Sequence, residues 1–536
     1  MNFIEGTIFI LFLAILSVPL ATKLRIPLEI FLFLGSCIVG FLPGVAGFQL
    51  NSDIVFGLFL PPILFYAAYF TSWQDFKFNL RPILQLAFGL VIFTTAIVAV
   101  VVKEFLLPQL SWPEAFLLGA IISPTDASAA TAIVKKFNVP RRFLIVLEGE
   151  SLINDATALM LYRFSLAAIL YGTFSSSKLV GKFFVVSVGG IFIGLIVALL
   201  ATTILKRIKH THAETTFTFI TAFSSYLIAE HFGCSGVVST VTAGIYFGIH
   251  FPELATSRTK LNAKASWDTL IFIINGFVFT LIGLEWPVVL ENLQSYSVSE
   301  LIIYGSVLTI VVMAIRLIWI FPSAYLPRAL FPSIKKKDPM PPAKLLFALG
   351  WVGMRGIVSL AAALAIPRHN LPAGFAQHVN LIIFLVYFVV VATLIVPAIT
   401  LPILIRMLGL SNADELEEKM HQEAKARLNA LDEITKTITT MKENENIPEQ
   451  VFQEFVKQIQ RKHKVIQTQL NPAPYSLLQD DYLIYKKLLF AAIRAERNAL
   501  MNLRRQGEIH DEIFWSLSNE LDIEEVRANT LRASGV

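Results

Sequence analysis

The chain is poor in charge and almost without cysteine. Asp, Glu, Lys and Arg make up 15% of its 536 residues, where a soluble domain carries about 25%. Hydrophobic residues make up 55%, and 43 residues are Phe. That balance excludes an ordinary soluble enzyme and indicates a polytopic membrane protein. The two cysteines, Cys37 and Cys234, both lie in apolar runs, so no disulfide or thiolate metal framework is indicated. The first residues, MNFIEGT, lack the basic region of a signal peptide, and no cleavage site follows the next apolar run. That run reads as a retained first span. The chain also has no Walker loop, no GxSxG, no HExxH and no nucleotide fingerprint. An ATP-driven pump is therefore not expected, nor an enzyme, nor a bound cofactor. The net charge of +5 does not call for nucleic acid, because membrane proteins concentrate basic residues in cytoplasmic loops.

What is present in quantity is the long apolar run. Thirteen spans are expected, near 3–21, 27–46, 53–71, 83–102, 113–134, 150–171, 183–205, 214–232, 235–251, 267–285, 301–321, 343–366 and 380–405. A short His-Phe-Gly-Cys turn separates the eighth from the ninth. Odd-numbered loops hold the basic residues, for example Lys135, Lys136, Arg141 and Arg142, or Arg258, Lys260 and Lys264. Even-numbered loops hold few. The positive-inside rule then puts the N-terminus outside and the C-terminus in the cytoplasm. Beyond about residue 409 the composition turns to Glu, Lys, Arg, Gln and Leu. Apolar positions there recur at helical spacing (Leu428, Leu431, Ile434; Leu483, Leu488, Leu489, Ile493), with Pro448 and Pro472–Pro474 as breaks. Residues 1–408 are thus read as a membrane domain and 409–536 as a soluble helical tail, suited to packing or dimer contact.

Within this apolar chain, residues 121–164 stand out. Two apolar helices joined by a basic loop carry Asp126 on the first and Glu148, Glu150, Asn154 and Asp155 on the second. A carboxylate in a membrane helix costs roughly 2.5–3.5 kcal/mol on insertion scales and marks a functional site by default. Ser151, Asn154 and Asp155 stand at i, i+3 and i+4, on one helix face. Pro124 disturbs the turn before Thr125 and Asp126 and frees backbone carbonyls at membrane depth. Oxygen ligands with no Cys or His nearby suit a hard cation such as Na+.

A second polar island lies in ALGWVGMRGIVSLAAALAIP at 348–367. Gly350, Gly353 and Gly356 weaken the helix, and Arg355 sits near mid-membrane, where its guanidinium must find a carboxylate or carbonyls. Arg316, deep in the eleventh span, is a similar case. Glu148 and Glu150, both expected to be membrane-buried, offer partners, and Glu150–Arg355 is the favoured ion pair. Several other residues have quieter readings. Pro61 and Pro62 are expected to kink the third span, as packing or as pathway wall. The segment CSGVVSTVTAG at 234–244 suits close helix packing. Asp268 and Glu285 lie near span ends and are expected to be hydrated, and Arg163 falls near the far end of the site helix.

The segments SPTDASAATAI, EGESLINDATAL and GMRGIVSLAAALAIP, with LPPILFYAA upstream, resemble the monovalent cation:proton antiporters of the NhaP/NHE type, over roughly residues 5–405. The resemblance implies an all-α membrane protein with an inverted-repeat fold of thirteen helices. Core spans would be near 83–171 and 301–405, and scaffold and dimer spans near 3–71 and 183–285. Spans five and twelve would be broken and cross near the site. It further implies that Asp155 binds cation and proton, with Asn154 its neighbour and Thr125, Asp126 and Ser151 helping to coordinate the cation. Glu150 and Arg355 would pair. The Asn-Asp pair, where the electrogenic branch carries Asp-Asp, implies electroneutral exchange of one cation for one proton. The expected substrates are Na+ or Li+ and protons, with no resident cofactor. The expected setting is a homodimer in a bacterial inner membrane, serving pH regulation. K+/H+ exchange by the same mechanism is the alternative, and a cation channel a more distant one.

Overall fold

The computed structural model describes residues 3–24, 27–42, 55–137, 139–172, 176–291, 293, 296–367, 371–410, 413–444, 447–470, 477–506, 508 and 511–530. Every regular element among these residues is helical. The chain divides into two compact units, Met1–Ser411 and Asn412–Val536.

In the first unit the apolar runs become α1 (Phe3–Leu24), α2 (Leu28–Gly40), α3 (Phe56–Tyr69) and α4 (Leu80–Leu106). Next come α5 (Trp112–Ile122), α6 (Ser128–Val134), α7 (Arg141–Tyr171), α8 (Ser176–Leu205), α9 (Thr211–His231) and α10 (Gly236–Leu254). The unit ends with α11 (Ser257–Glu291), α12 (Val298–Leu330), α13 (Ala343–Trp351), α14 (Ile357–Leu364) and α15 (Ala373–Leu408). Among the described residues α4, α8, α11, α12 and α15 are long and apolar enough to cross a bilayer, and α1 with α2 would add a sixth if counted as one bent span. The other elements fall short for readable reasons. The segments α5, α6, α13 and α14 are too short singly, and α7 interrupts its apolar face with Glu148, Glu150, Asp155 and Arg163. The expected count of thirteen rests on the sequence pattern. Its residues 43–46, 53 and 54 lie outside the described segments.

The helices pack in two bundles. One joins α2 lengthwise to α11, and α10 to α3, α8 and α9; the other joins α5 to α4 and α7, and α15 to α12, α13 and α14. Small residues allow the close approaches in the first bundle. A Cβ on Gly190 would come within 2.7 Å of the Ser235 carbonyl, and Ser239 Oγ donates to the Ser225 carbonyl at 2.7 Å. That is the packing expected of residues 234–244. The turn between α9 and α10 needs its glycine, since Gly233 has φ +67°. Large apolar side chains such as Val185, Ile310, Ile318 and Met407 remain exposed on helix faces. On a soluble protein such faces would drive aggregation, whereas in lipid they are solvated.

Pro61 and Pro62 fall in the first turn of a regular helix segment, Leu60–Tyr69, where a missing N–H costs little. The disturbance lies just before them, in the π-helical turn Val55–Phe59.

The second unit consists of α16 (Ala413–Asn444) packed on α17 (Glu449–Leu470), and α18 (Leu477–Arg505) packed on α19 (Asp511–Thr530). Its small core gathers Ile493, Leu500, Phe514 and Leu521. Leu431 and Ile493 turn inward as their spacing predicts, but Ile434 and Leu488 are exposed. Pro472–Pro474 and the Leu483 side chain lie outside what is described.

Candidate functional site

Two breaks in helical structure build the site. Between α5 and α6, residues 123–127 leave the helix, and between α13 and α14 residues 352–356 do the same. Pro124 explains the first break and the Gly350, Gly353, Gly356 series the second. The breaks meet: the Asp126 N–H donates to the Met354 carbonyl at 2.8 Å. They meet so closely that a Cβ on Gly356 would collide with the Asp126 carboxylate. Non-helical backbone at membrane depth is tolerated where it lines a cavity or is buried in protein, and here it does both.

Helix α7 lies against these breaks and presents its polar face to them. Thr125 Oγ1 donates to Glu150 Oε1 at 2.8 Å. Asn154 Nδ2 donates to the Thr125 carbonyl and to Thr125 Oγ1, both at 2.9 Å. The Ala127 N–H donates to Ser151 Oγ at 3.2 Å, and the Ser128 N–H to Asp126 Oδ1 at 2.8 Å. So Asn154 and Ser151 tie α7 to the backbone of the first break in a hydrogen-bonded network beside Asp155, and Asp126 bonds within the break itself.

The arginines are placed otherwise than expected. Glu150 pairs with Arg316 from α12, in contact through Nη1 and at 2.9 Å through Nη2, with both side chains fully buried. Arg355 forms no ion pair with Glu150. Its Nε donates to the Ile122 carbonyl at 3.0 Å, its Nη1 to the Gly353 carbonyl, and its backbone N–H to Thr393 Oγ1 at 3.3 Å. The Glu150–Arg355 pair is therefore replaced by Glu150–Arg316, while Arg355 satisfies carbonyls that the two breaks leave without intrahelical partners. Sequence depth alone could not separate two arginines at similar positions in their spans. Thr393 carried no sequence signal at all.

Glu148 is not membrane-buried. Its side chain is 43% exposed and forms an ion pair with Lys135 at 3.2 Å. Glu285, expected to be hydrated, is only 7% exposed, beside a Trp286 ring stacked on Phe384 with centroids 5.4 Å apart. Asp268 is half exposed, as expected, and accepts from Tyr66 Oη and Lys264 Nζ, both at 2.6 Å. The Lys264–Asp268 spacing of i, i+4 was visible in the sequence; the contribution of Tyr66 was not. Arg163 pairs with Glu230 at 3.0 Å.

A cavity of about 420 Å³ opens over this network. Pro124 to Ser128, Ser151, Asp155, Gly356 and Ser359 form its inner wall, while Tyr66, Lys135, Glu148 and Lys264 are among its other lining residues. Asp155 thus borders space large enough for water and a small ion. Among the described residues no cationic side chain lies within 4 Å of it.

Two interrupted helices that touch at their unwound turns, beside acids facing a cavity, define a secondary transporter built for a small cation. The comparisons narrow the class. A family described as "Sodium/hydrogen exchanger, transmembrane" matches residues 8–407. An uncharacterized Na+/H+ exchanger of Mycobacterium tuberculosis is 30% identical over 521 residues, 96% of this chain and 94% of that protein. A sodium, potassium, lithium and rubidium/H+ antiporter of Bacillus pumilus is 29% identical over 512 residues, 93% of this chain and 74% of that protein. In structure, the sodium proton antiporter MjNhaP1 of Methanocaldococcus jannaschii superposes with a TM-score of 0.59. It shares 20% identity, covering 76% of this chain and 99% of that one, so it speaks for the fold. The chain belongs to the sodium/hydrogen exchanger family, a family of multi-pass membrane antiporters.

Proposed function

We propose that this chain exchanges one Na+ for one proton without net current, by alternating access, with Asp155 as the carboxylate both ions share. The observation that carries this reading is the contrast between two acids of α7. Glu150 is fully buried and neutralised by Arg316, so its charge is committed to the fold. Asp155 borders the cavity and has no cationic partner among the described residues, so its charge is available to a mobile ion. A proton or a Na+ each neutralises it. An unloaded carboxylate is costly to carry through the low-dielectric part of the path, so the loaded forms cross and the empty one does not. One exchangeable charge gives one-for-one coupling.

Thr125, Asp126, Ser151 and Asn154 are assigned to cation coordination, directly or through water. Their oxygens fit a hard monovalent ion. The bundle of α4 to α7 and α12 to α15 is assigned as the moving core, and that of α1 to α3 and α8 to α11 as the scaffold and homodimer face. Lys135 and Lys264 at the cavity belong to the basic loops, so the positive-inside rule makes this the inward-facing state. The N-terminus is then outside and the tail in the cytoplasm, in a bacterial inner membrane where the exchange would serve pH regulation. Li+ would follow Na+. K+/H+ exchange is the second reading, favoured by the substrates in the name of the Bacillus pumilus relative.

The test uses proteoliposomes with a pH-sensitive dye inside and pulses of Na+, Li+ or K+ outside, the potential clamped by valinomycin during the Na+ and Li+ pulses. Dye recovery on Na+, unchanged by the clamp and absent in Asp155→Asn at equal reconstitution, is the expected result. Wild-type exchange in Asp155→Asn would overturn the site. Recovery with K+ alone would change the substrate and keep the mechanism.

A further inference from the structure

Outside the transport site, one carboxylate is asked to serve three arginines. Arg81 in the first turn of α4, Arg142 in the first turn of α7 and Arg328 in the last turn of α12 converge on Asp338, which follows the short helix Pro332–Lys337. Arg81 Nη2 lies 2.9 Å from Asp338 Oδ2, Arg142 Nη1 2.7 Å from Oδ1, and Arg328 Nη2 2.6 Å from Oδ2. Arg328 is buried and well satisfied, reaching the Ala324 carbonyl with Nη1 and the Asp338 carbonyl with Nε at 3.2 Å. The other two are not used up. Their side chains are 29% and 33% exposed, and Arg81 Nε is buried without a hydrogen-bond partner. Two positive charges therefore remain uncompensated at the ends of three helices. The nearby carboxylate of Asp75 is engaged instead by Arg141, at 2.5 Å.

We propose that this cluster is a binding site for the phosphodiester headgroup of an anionic phospholipid. Guanidinium groups match phosphate oxygens in bidentate geometry, and an oxyanion against the exposed parts of Arg81 and Arg142 would offset the surplus charge. Basic pockets between helix ends at the membrane surface are where such headgroups bind. The source of the phosphate follows from what flanks the cluster in the chain. Phe78, Leu330 and Phe331, adjacent in sequence to Arg81 and Arg328, are all more than half exposed. A free phosphate makes no use of an apolar collar, whereas acyl chains do. Because α7 also carries Asp155, a lipid here would brace the helix that holds the transport carboxylate.

The full-length protein, purified in mild detergent, is compared with phosphatidylglycerol, phosphatidylcholine or inorganic phosphate added, reading the melting temperature and the lipids retained in native mass spectrometry. The expected result is retained phosphatidylglycerol and a melting temperature several degrees above that with phosphatidylcholine or phosphate. Both effects should be lost in Arg81→Gln/Arg142→Gln, which leaves buried Arg328 in place. Equal retention of the two lipids by the wild type would overturn the site. So would undiminished phosphatidylglycerol retention in the double variant. Phosphate alone matching the lipid would overturn the lipid assignment. The wild-type arms decide the matter even if the double variant does not fold.

Discussion

At the scale of single residues, two buried arginines that look alike in sequence have different work. Arg316 neutralises Glu150, and Arg355 collects carbonyls from two broken helices. Removing one partner of a buried pair orphans the other charge and costs about 3–5 kcal/mol, while replacing both with neutral groups is often tolerated. Arg316→Ala should therefore sharply reduce the folded protein recovered, and Arg316→Met/Glu150→Gln should restore much of it. Fluorescence-detected size exclusion of the solubilised variants checks this, and a wild-type yield for Arg316→Ala would refute it. Arg355→Ala leaves Glu150 paired. Any loss there should not be relieved by Glu150→Gln, and relief would restore the Glu150–Arg355 pair to consideration.

At the scale of elements, the site depends on how closely two unwound turns approach. Gly356 has no room for a Cβ against Asp126, so Gly356→Ala must displace the α5–α6 turn that carries Asp126. The expected outcome is exchange reduced tenfold or more at near-normal abundance, read in the dye assay. Unaltered exchange would mean that the Asp126 turn is not part of the ion site. The ends of α4, α7 and α12 are tied by Asp338. Its partial burial would raise the carboxyl, but hydrogen bonds and charge from Arg142 and Arg328 outweigh that and hold it below the ordinary carboxylate range. A depressed folded value stabilises above the unfolded pKa of about 3.9 and loses that contribution as pH falls through the folded value. Asp338→Asn should thus melt below wild type at neutral pH, with the gap closing under strong acid. A gap that widens toward acid would contradict the assignment.

At the scale of the molecule, the division between Met1–Ser411 and Asn412–Val536 separates an apolar unit from one with its own small core of Ile493, Leu500, Phe514 and Leu521. Each unit holds a buried core of its own. A chain ending at Ser411 should then insert, remain monodisperse in detergent and retain exchange within about twofold. Loss of exchange with intact folding would assign the tail a part in transport itself.

Much of this protein was legible in the order of its residues. Scarce charge and long apolar runs determined a membrane protein, helical periodicity put Ser151, Asn154 and Asp155 on one face, and Pro124 with the glycines of 350–356 marked both breaks. These are local properties, set by neighbours within a few residues in the chain. The partner of Glu150, the duty of Arg355, the burial of Glu285, the exposure of Glu148 and the contact of Tyr66 with Asp268 were decided only by the tertiary structure. Each depends on which helices, often more than a hundred residues apart, come to lie side by side, and on which face each helix turns inward. Periodicity places a side chain on a face but does not say what stands opposite. In a low-dielectric interior, what stands opposite determines whether a charge is locked into the fold or left free to carry an ion.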